Sequence, residues 1–155
     1  MIIETTGDAT YPEANGSKFI LHSCTNQGHW GNGFTSSISK RWSYPEQMYF
    51  EWMDSNPKLG EVQIVPVEED IFVCNILAQK GLVTSENPVQ VDYDALALAF
   101  KTILNYVIKT YRGRGNYHVP YLIGGGDEEK TYAILKRKLA TYPHRDRAIY
   151  VYKND

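Results

Sequence analysis

The sequence predicts an α/β sandwich built on a largely parallel sheet, and three observations carry that reading. Short apolar runs of strand length alternate along the chain with longer segments of helical periodicity. Two glycine-rich stretches, residues 27–33 and 124–126, each join a run of the first kind to a segment of the second. The chain has 155 residues, 43% apolar and 22% charged, the size and composition of one domain with one hydrophobic core.

Residues 18–24, Lys-Phe-Ile-Leu-His-Ser-Cys, read as a buried strand. After the first glycine-rich stretch comes a helix over 34–42. A second helical piece covers 44–53, with Pro45 in its first turn. Asn56-Pro57-Lys58-Leu59-Gly60 is a turn, and 62–67 and 70–78, rich in Val and Ile, are two adjacent strands. The clearest helix is 92–111. There Leu96, Phe100, Ile103, Leu104, Val107, Ile108 and Tyr111 recur at steps of three and four and share one face. Arg112-Gly-Arg-Gly115 ends it, with glycine expected in the left-handed cap. A strand over 117–123, the tight loop 124–126, a helix over 127–140 and a strand over 148–152 complete the order. The last helix opens on Asp127, Glu128 and Glu129 and closes on Lys136, Arg137 and Lys138, which complements its dipole.

Composition excludes several classes of function. Sixteen Lys and Arg against eighteen Asp and Glu give a net charge of −2, so no basic field exists for general nucleic-acid binding. Apolar runs of only a few residues exclude a membrane-spanning helix, and the opening Met-Ile-Ile-Glu-Thr-Thr-Gly-Asp is no secretion signal. Cys24 and Cys74 are too few for a disulfide framework or a four-cysteine zinc site; they read as small buried residues in a reducing compartment. The expected setting is the cytoplasm. Without repeats or linkers, residues 1–155 are read as a single domain and, since nothing demands assembly, as a monomer.

In a parallel sheet ligands sit beyond the carboxyl ends of the strands, where both glycine loops fall. Glycine lets the backbone approach a ligand, and the helix behind each loop is expected to add free N–H donors and the positive end of its dipole. Either loop alone serves equally as a packing turn; together they suggest an anion with two phosphoryl groups. No Gly-Lys-Ser/Thr follows and the spacing is not G-x-G-x-x-G, so this is neither a P-loop nor a dinucleotide fingerprint. Trp30, inside the first loop, either covers a sugar or base face or packs the loop. Tyr150 and Tyr152 on the last strand are expected to divide, one to the core and one to the cleft. His22 at a strand end and Asp127 at a helix start each have two readings: a catalytic group, or a backbone partner and a helix cap. His29 is an alternative to His22, whereas His118 and His144 read as ordinary strand or surface residues. No histidine pair has i, i+4 spacing and no acid cluster is present, so no metal is expected.

Four segments together resemble a macro domain: Thr6-Gly7-Asp8-Ala9-Thr10, His22-Ser-Cys-Thr-Asn-Gln-Gly-His-Trp-Gly-Asn-Gly33, Leu59-Gly-Glu-Val-Gln63 and Pro120-Tyr-Leu-Ile-Gly-Gly-Gly-Asp127. With Val151-Tyr152 the resemblance spans nearly the whole chain in order. Its most specific part, His-Ser-Cys-x-x-x-Gly-x-Trp-Gly-x-Gly, points to a branch with two activities. These are ADP-ribose-1″-phosphate phosphatases and glycohydrolases that remove ADP-ribose from acidic side chains of proteins.

The resemblance implies a three-layer α/β/α sandwich with a mixed, largely parallel six-stranded sheet and ADP-ribose at the strand ends. It implies that Asp8 accepts from the adenine amino group with Ala9 beside it, and that Tyr152 packs on adenine. Gly31, Asn32 and Gly33 would present N–H groups to the diphosphate, with Ile123, Gly124, Gly125 and Gly126 closing from the other side. The distal ribose would lie near His22, Thr25, Asn26, Gln27 and Asp127. Two departures stand out. The family often has asparagine where this chain has Thr25, with Asn26 following. The glycohydrolase lysine beyond the fourth strand is matched by Gln79, with Lys80 next to it, and its paired aspartate by Asp127. The expected reaction is therefore hydrolysis of ADP-ribose 1″-phosphate to ADP-ribose and phosphate, without metal or cofactor. Asp127 would orient or deprotonate the water, and His22 would stabilise phosphoryl charge or act as nucleophile or acid. Hydrolysis of ADP-ribose esters on proteins, and non-catalytic binding of ADP-ribose or a related NAD-derived nucleotide, are the alternatives.

Overall fold

The two longest apolar runs become β2 (Ser17–Thr25) and β4 (Ile71–Gln79), which pair in parallel at the centre of the sheet. Both are buried along almost their whole length, as strands covered on two faces must be, and both read as near-continuous apolar sequence for that reason. The structure is a computed structural model and describes residues 1–31, 33–81, 84–86, 91–121, 123, 126–141 and 147–153. Among these, β1 (Ile2–Thr6), β3 (Val62–Glu68), β5 (Gly115–Pro120) and β6 (Ile149–Lys153) complete a six-stranded sheet in the order β1-β6-β5-β2-β4-β3. Only β3, on one edge, runs antiparallel to its neighbour; the other pairings are parallel.

Period-two alternation sends the side chains of β2 into two layers. Phe19 and Leu21 enter the larger core, formed with α3 (Tyr93–Tyr111) and with Leu135 and Leu139 of α4 (Glu128–Ala140). Phe19 stacks there on Phe72 with ring centroids 4.9 Å apart. Ile20 and Cys24 face the opposite layer, where Ile38 of α1 (Phe34–Arg41) and Tyr49 of α2 (Tyr44–Met53) cover them. The result is helices on both faces of one mixed sheet, the α/β/α sandwich the sequence implied.

The differences from expectation are local. β1 was not read as a strand: it is five residues long, half-exposed, and has no apolar run to announce it. β5 begins two residues earlier than expected, at Gly115, and stops at Pro120 rather than running to Ile123. Gly115 opens the strand because a Cβ there would lie 3.0 Å from both Phe19 and Val107. Past Pro120 the chain leaves the ladder, and the Gly126 N–H turns back onto the Ile123 carbonyl at 3.2 Å. The left-handed cap of α3 falls on Arg112 itself (φ 55°, ψ 33°), while the Gly113 N–H returns to the Val107 carbonyl at 3.1 Å.

Candidate functional site

Because β1, β6, β5, β2 and β4 are parallel, their carboxyl ends share one edge of the sheet, and the chain leaves β1 toward Asp8 and β2 toward the first glycine loop from that edge. At the end of β1 the Gly7 N–H reaches the Lys153 carbonyl of β6 at 3.2 Å. The next residues form a tight turn. Asp8 Oδ1 accepts from the Thr10 N–H at 2.9 Å and the Thr10 hydroxyl at 2.8 Å, and the Asp8 carbonyl accepts from the Tyr11 N–H at 2.9 Å. Ala9 and Thr10 are buried beneath it, while Asp8 itself is exposed. The turn therefore presents an oriented carboxylate outward, suited to accept from an amino group.

The loop after β2 runs into α1 through Gly33, whose φ of 79° is a conformation glycine adopts without strain. Its N-cap, Gly33, makes no side-chain cap bond and no acid lies in its first turn, so no negative charge in that turn competes with an anion for the positive end of the dipole. Trp30 faces inward. Its Nε1 donates to Ser39 Oγ at 2.8 Å, and its ring sits 5.4 Å from His22 and 5.5 Å from Tyr49, which favours the loop-packing reading. The Tyr49 hydroxyl pins the loop from below, donating to the Thr25 carbonyl and accepting from the His29 N–H at 3.2 Å. Asn32 lies outside the described residues, and Gly31 is half-buried beside the His29 ring.

At the end of β2, side chains that resemble ribose contacts are occupied in joining two strands. The Thr25 hydroxyl donates to the Gly81 carbonyl, and Asn26 Oδ1 accepts from the Gly81 N–H at 2.9 Å. Gln27 is exposed, its N–H on Thr25 Oγ1 at 3.3 Å. The register slips here, so Ala78 is unopposed and Gln79 comes opposite Thr25. Ser23 Oγ then donates to Gln79 Oε1 at 2.9 Å, which ties Gln79 down and leaves Lys80 exposed.

His22 is 2% exposed, under Trp30 and Phe34. Its Nε2 lies 2.6 Å from Asn75 Oδ1. Asn75 uses both amide hydrogens elsewhere, toward Gln63 Oε1 at 3.0 Å and the Pro45 carbonyl at 3.2 Å, so its oxygen must accept and His22 Nε2 must carry the proton. Gln63 continues the chain to the Met48 carbonyl at 2.9 Å. Burial pushes the imidazole down to about 4, so it is neutral near pH 7, and Nδ1 finds no partner among the described residues. His22 is thus a buried donor beneath the first loop. Asn75 and Gln63 were missed, although one asparagine inside the apolar run of β4 was a readable sign of a buried polar contact.

Gly126 packs on the start of α3. A Cβ on Gly126 would lie 2.6 Å from Val91 Cγ1 and 2.9 Å from the Tyr93 hydroxyl, and that hydroxyl accepts from the Asp127 N–H at 2.8 Å. Ile123 is buried; Gly124 and Gly125 lie outside the described residues. Asp127 caps α4, Oδ1 accepting from the Lys130 N–H at 2.9 Å, and Glu128 and Glu129 follow in the first turn. This corrects the symmetrical expectation for the two loops. The α4 terminus is already served by its own acids, whereas the first turn of α1 holds none. Asp127 remains exposed.

Tyr150 and Tyr152 do not divide between core and cleft; residues two apart in a strand share a face, and both lie over His118. The Tyr152 hydroxyl sits 2.7 Å from His118 Nδ1 and accepts from the Glu13 N–H at 3.3 Å. Asn116, paired with His118 Nε2, donates to the Asn15 carbonyl at 2.8 Å. His118, expected to be ordinary, is a wholly buried link between β5, β6 and the segment after the Asp8 turn; burial and then Lys18 push it down to about 3. His144 lies outside the described residues. Among the described residues no three His, Cys, Asp or Glu side chains gather to hold a metal, and no helix is long and apolar enough to cross a membrane.

No protein-family model matches the sequence, and no curated protein matches it. Solved structures do. A Bacteroides thetaiotaomicron protein of unknown function is 33% identical with a TM-score of 0.87, covering 100% of this chain and 98% of that one. A macrodomain protein from Streptomyces coelicolor is 29% identical with a TM-score of 0.84, covering 99% of each chain. Thermosipho africanus DarTG, solved in complex with ADP-ribose, shares the fold at 13% identity and a TM-score of 0.73, covering 97% of this chain and 41% of that one. Sheet order, strand-end loops and these likenesses agree: the chain belongs to the macrodomains.

Proposed function

We propose that this macrodomain binds ADP-ribose along the carboxyl edge of its sheet and hydrolyses ADP-ribose 1″-phosphate. The observation that carries the reading is the gathering of three complementary features beyond the ends of β1, β2 and β5 on one edge of the sheet. These are the outward carboxylate of Asp8, the acid-free first turn of α1, and the exposed carboxylate of Asp127 beyond β5. Adenine, diphosphate and distal ribose need an acceptor, a donor cradle and a reactive end, and the α1 terminus is assigned the cradle.

In the reaction a water oxygen attacks phosphorus, the bond from phosphorus to the anomeric oxygen breaks, and that oxygen leaves protonated as ADP-ribose. Asp127 orients the water. His22, neutral and sealed beneath Trp30, supports the donor loop rather than meeting the phosphate. The test is phosphate release from ADP-ribose 1″-phosphate by wild type and Asp127→Asn. Asparagine caps a helix as well as aspartate does, so this variant keeps the fold and removes the charge. A loss of about 100-fold is expected. Turnover is expected to survive a chelator, and loss of activity restored by added metal would overturn the metal-free reading. Lys80→Ala should leave phosphate release unchanged; release of ADP-ribose from protein esters by wild type that Lys80→Ala abolishes would favour ester hydrolysis instead.

A binder without turnover is the second reading, favoured by the engagement of Asp127 as the cap of α4. Tight ADP-ribose binding by wild type and Asp127→Asn alike, with no phosphate released by either, is its signature.

A further inference from the structure

We propose that Arg41 is a positioning residue for the adenine end of the site, locking the Asp8 turn to the helix that follows the first glycine loop. Arg41 is the last residue of α1, and one of its guanidinium nitrogens donates to the Thr10 carbonyl. Thr10 is the residue whose N–H and hydroxyl fix Asp8 Oδ1, so a bond to its carbonyl holds the other side of the same peptide segment.

The guanidinium is itself immobilised. It lies 4.1 Å from the centroid of the Tyr11 ring and 4.3 Å from that of Trp42, sandwiched between them. Its second nitrogen donates to Glu68 Oε2 at 3.0 Å, an oxygen that also accepts from Trp42 Nε1 at 3.0 Å. A planar fork stacked on two rings with both ends bonded loses little further freedom when it holds a backbone carbonyl, which a flexible lysine does not match. Since α1 also begins at Gly33, at the end of the first glycine loop, one side chain sets the spacing between the acceptor for adenine and the loop assigned to the diphosphate. Arginine at a helix C-terminus complements the dipole, which hides this second duty in the sequence.

The inference rests on the ADP-ribose reading, and its test separates the two. In the free protein, amide hydrogen exchange at Thr10 and Tyr11 should accelerate in Arg41→Ala and, less strongly, in Arg41→Lys, while amides of β2 and β4 keep their protection. Calorimetric titration then compares ADP-ribose with its hypoxanthine analogue, whose carbonyl replaces the amino group that Asp8 accepts from. Wild type should prefer ADP-ribose by about tenfold, the worth of one charge-assisted hydrogen bond. Arg41→Ala should lose that preference, with Arg41→Lys in between, although both remain folded by thermal melting. Should Arg41→Ala not fold, Arg41→Lys alone decides. A folded variant that keeps the wild-type preference, or unchanged exchange at Thr10 and Tyr11, overturns the role of Arg41. A wild type that binds neither nucleotide overturns the ADP-ribose reading, and with it this ligand role.

Discussion

Asp8 keeps one carboxylate oxygen on Thr10 and stands exposed at the strand ends, so its orientation is set before a ligand arrives. Replacing it with alanine removes the acceptor and should weaken ADP-ribose affinity by about tenfold or more, measured by calorimetry on protein shown to be folded by its thermal transition. Asn75 is the opposite case, a residue with no access to ligand whose loss is felt in the core. Asn75→Ala leaves the proton on His22 Nε2 and the Gln63 oxygen without their partner, at a cost of about 1–3 kcal/mol in urea unfolding. Asp8 was legible in the sequence because a motif marks it. Arg41, Gln63 and Tyr93 were not, because each acts on a residue far from it in the chain, through a contact that no local pattern records.

The two helices that follow glycine loops look alike in sequence and differ in what their first turns hold. α1 begins with Phe-Thr-Ser-Ser behind Gly33 and has no acid; α4 begins with Asp127, Glu128 and Glu129. Placing a carboxylate in the first turn of α1, as in Ser36→Asp, should therefore stabilise the empty protein slightly, by about 0.3–1 kcal/mol, while competing with a bound diphosphate. A rise in melting temperature together with weaker ADP-ribose binding is the expected pair of results. At the second loop, Gly126→Ala must displace Val91 and the Tyr93 hydroxyl, an overpacking worth about 1–3 kcal/mol by chemical denaturation. Elements with long apolar periodicity were readable to within a few residues, as α3 and β4 show. β1 was not, since a short edge strand half in water needs no apolar run, and its pairing with β6 is fixed across the whole length of the chain.

At the scale of the whole molecule, two imidazoles among the described residues are buried and neutral, His22 near 4 and His118 near 3, against about 6.5 for histidine in an unfolded chain. Between those limits the unfolded state binds protons that the folded state refuses, so stability falls as pH drops below about 6.5, by up to about 1.4 kcal/mol per pH unit for each histidine. Urea midpoints should be flat from pH 8 to 7 and fall steeply from 6 to 5; a level profile over that lower range would show that the imidazoles ionise freely in the fold. The register of β1 with β6, Ile2 beside Ile149 and Thr6 beside Lys153, has a consequence in time. During synthesis β1 emerges first yet has no strand to join until the last one is made, because its only neighbour in the sheet is β6. The central pair β2 and β4 closes earlier, while β1, the strand that leads into the Asp8 turn, waits for β6 to be released. A nascent chain stalled before residue 149 should thus possess a protected centre and no adenine recognition at all.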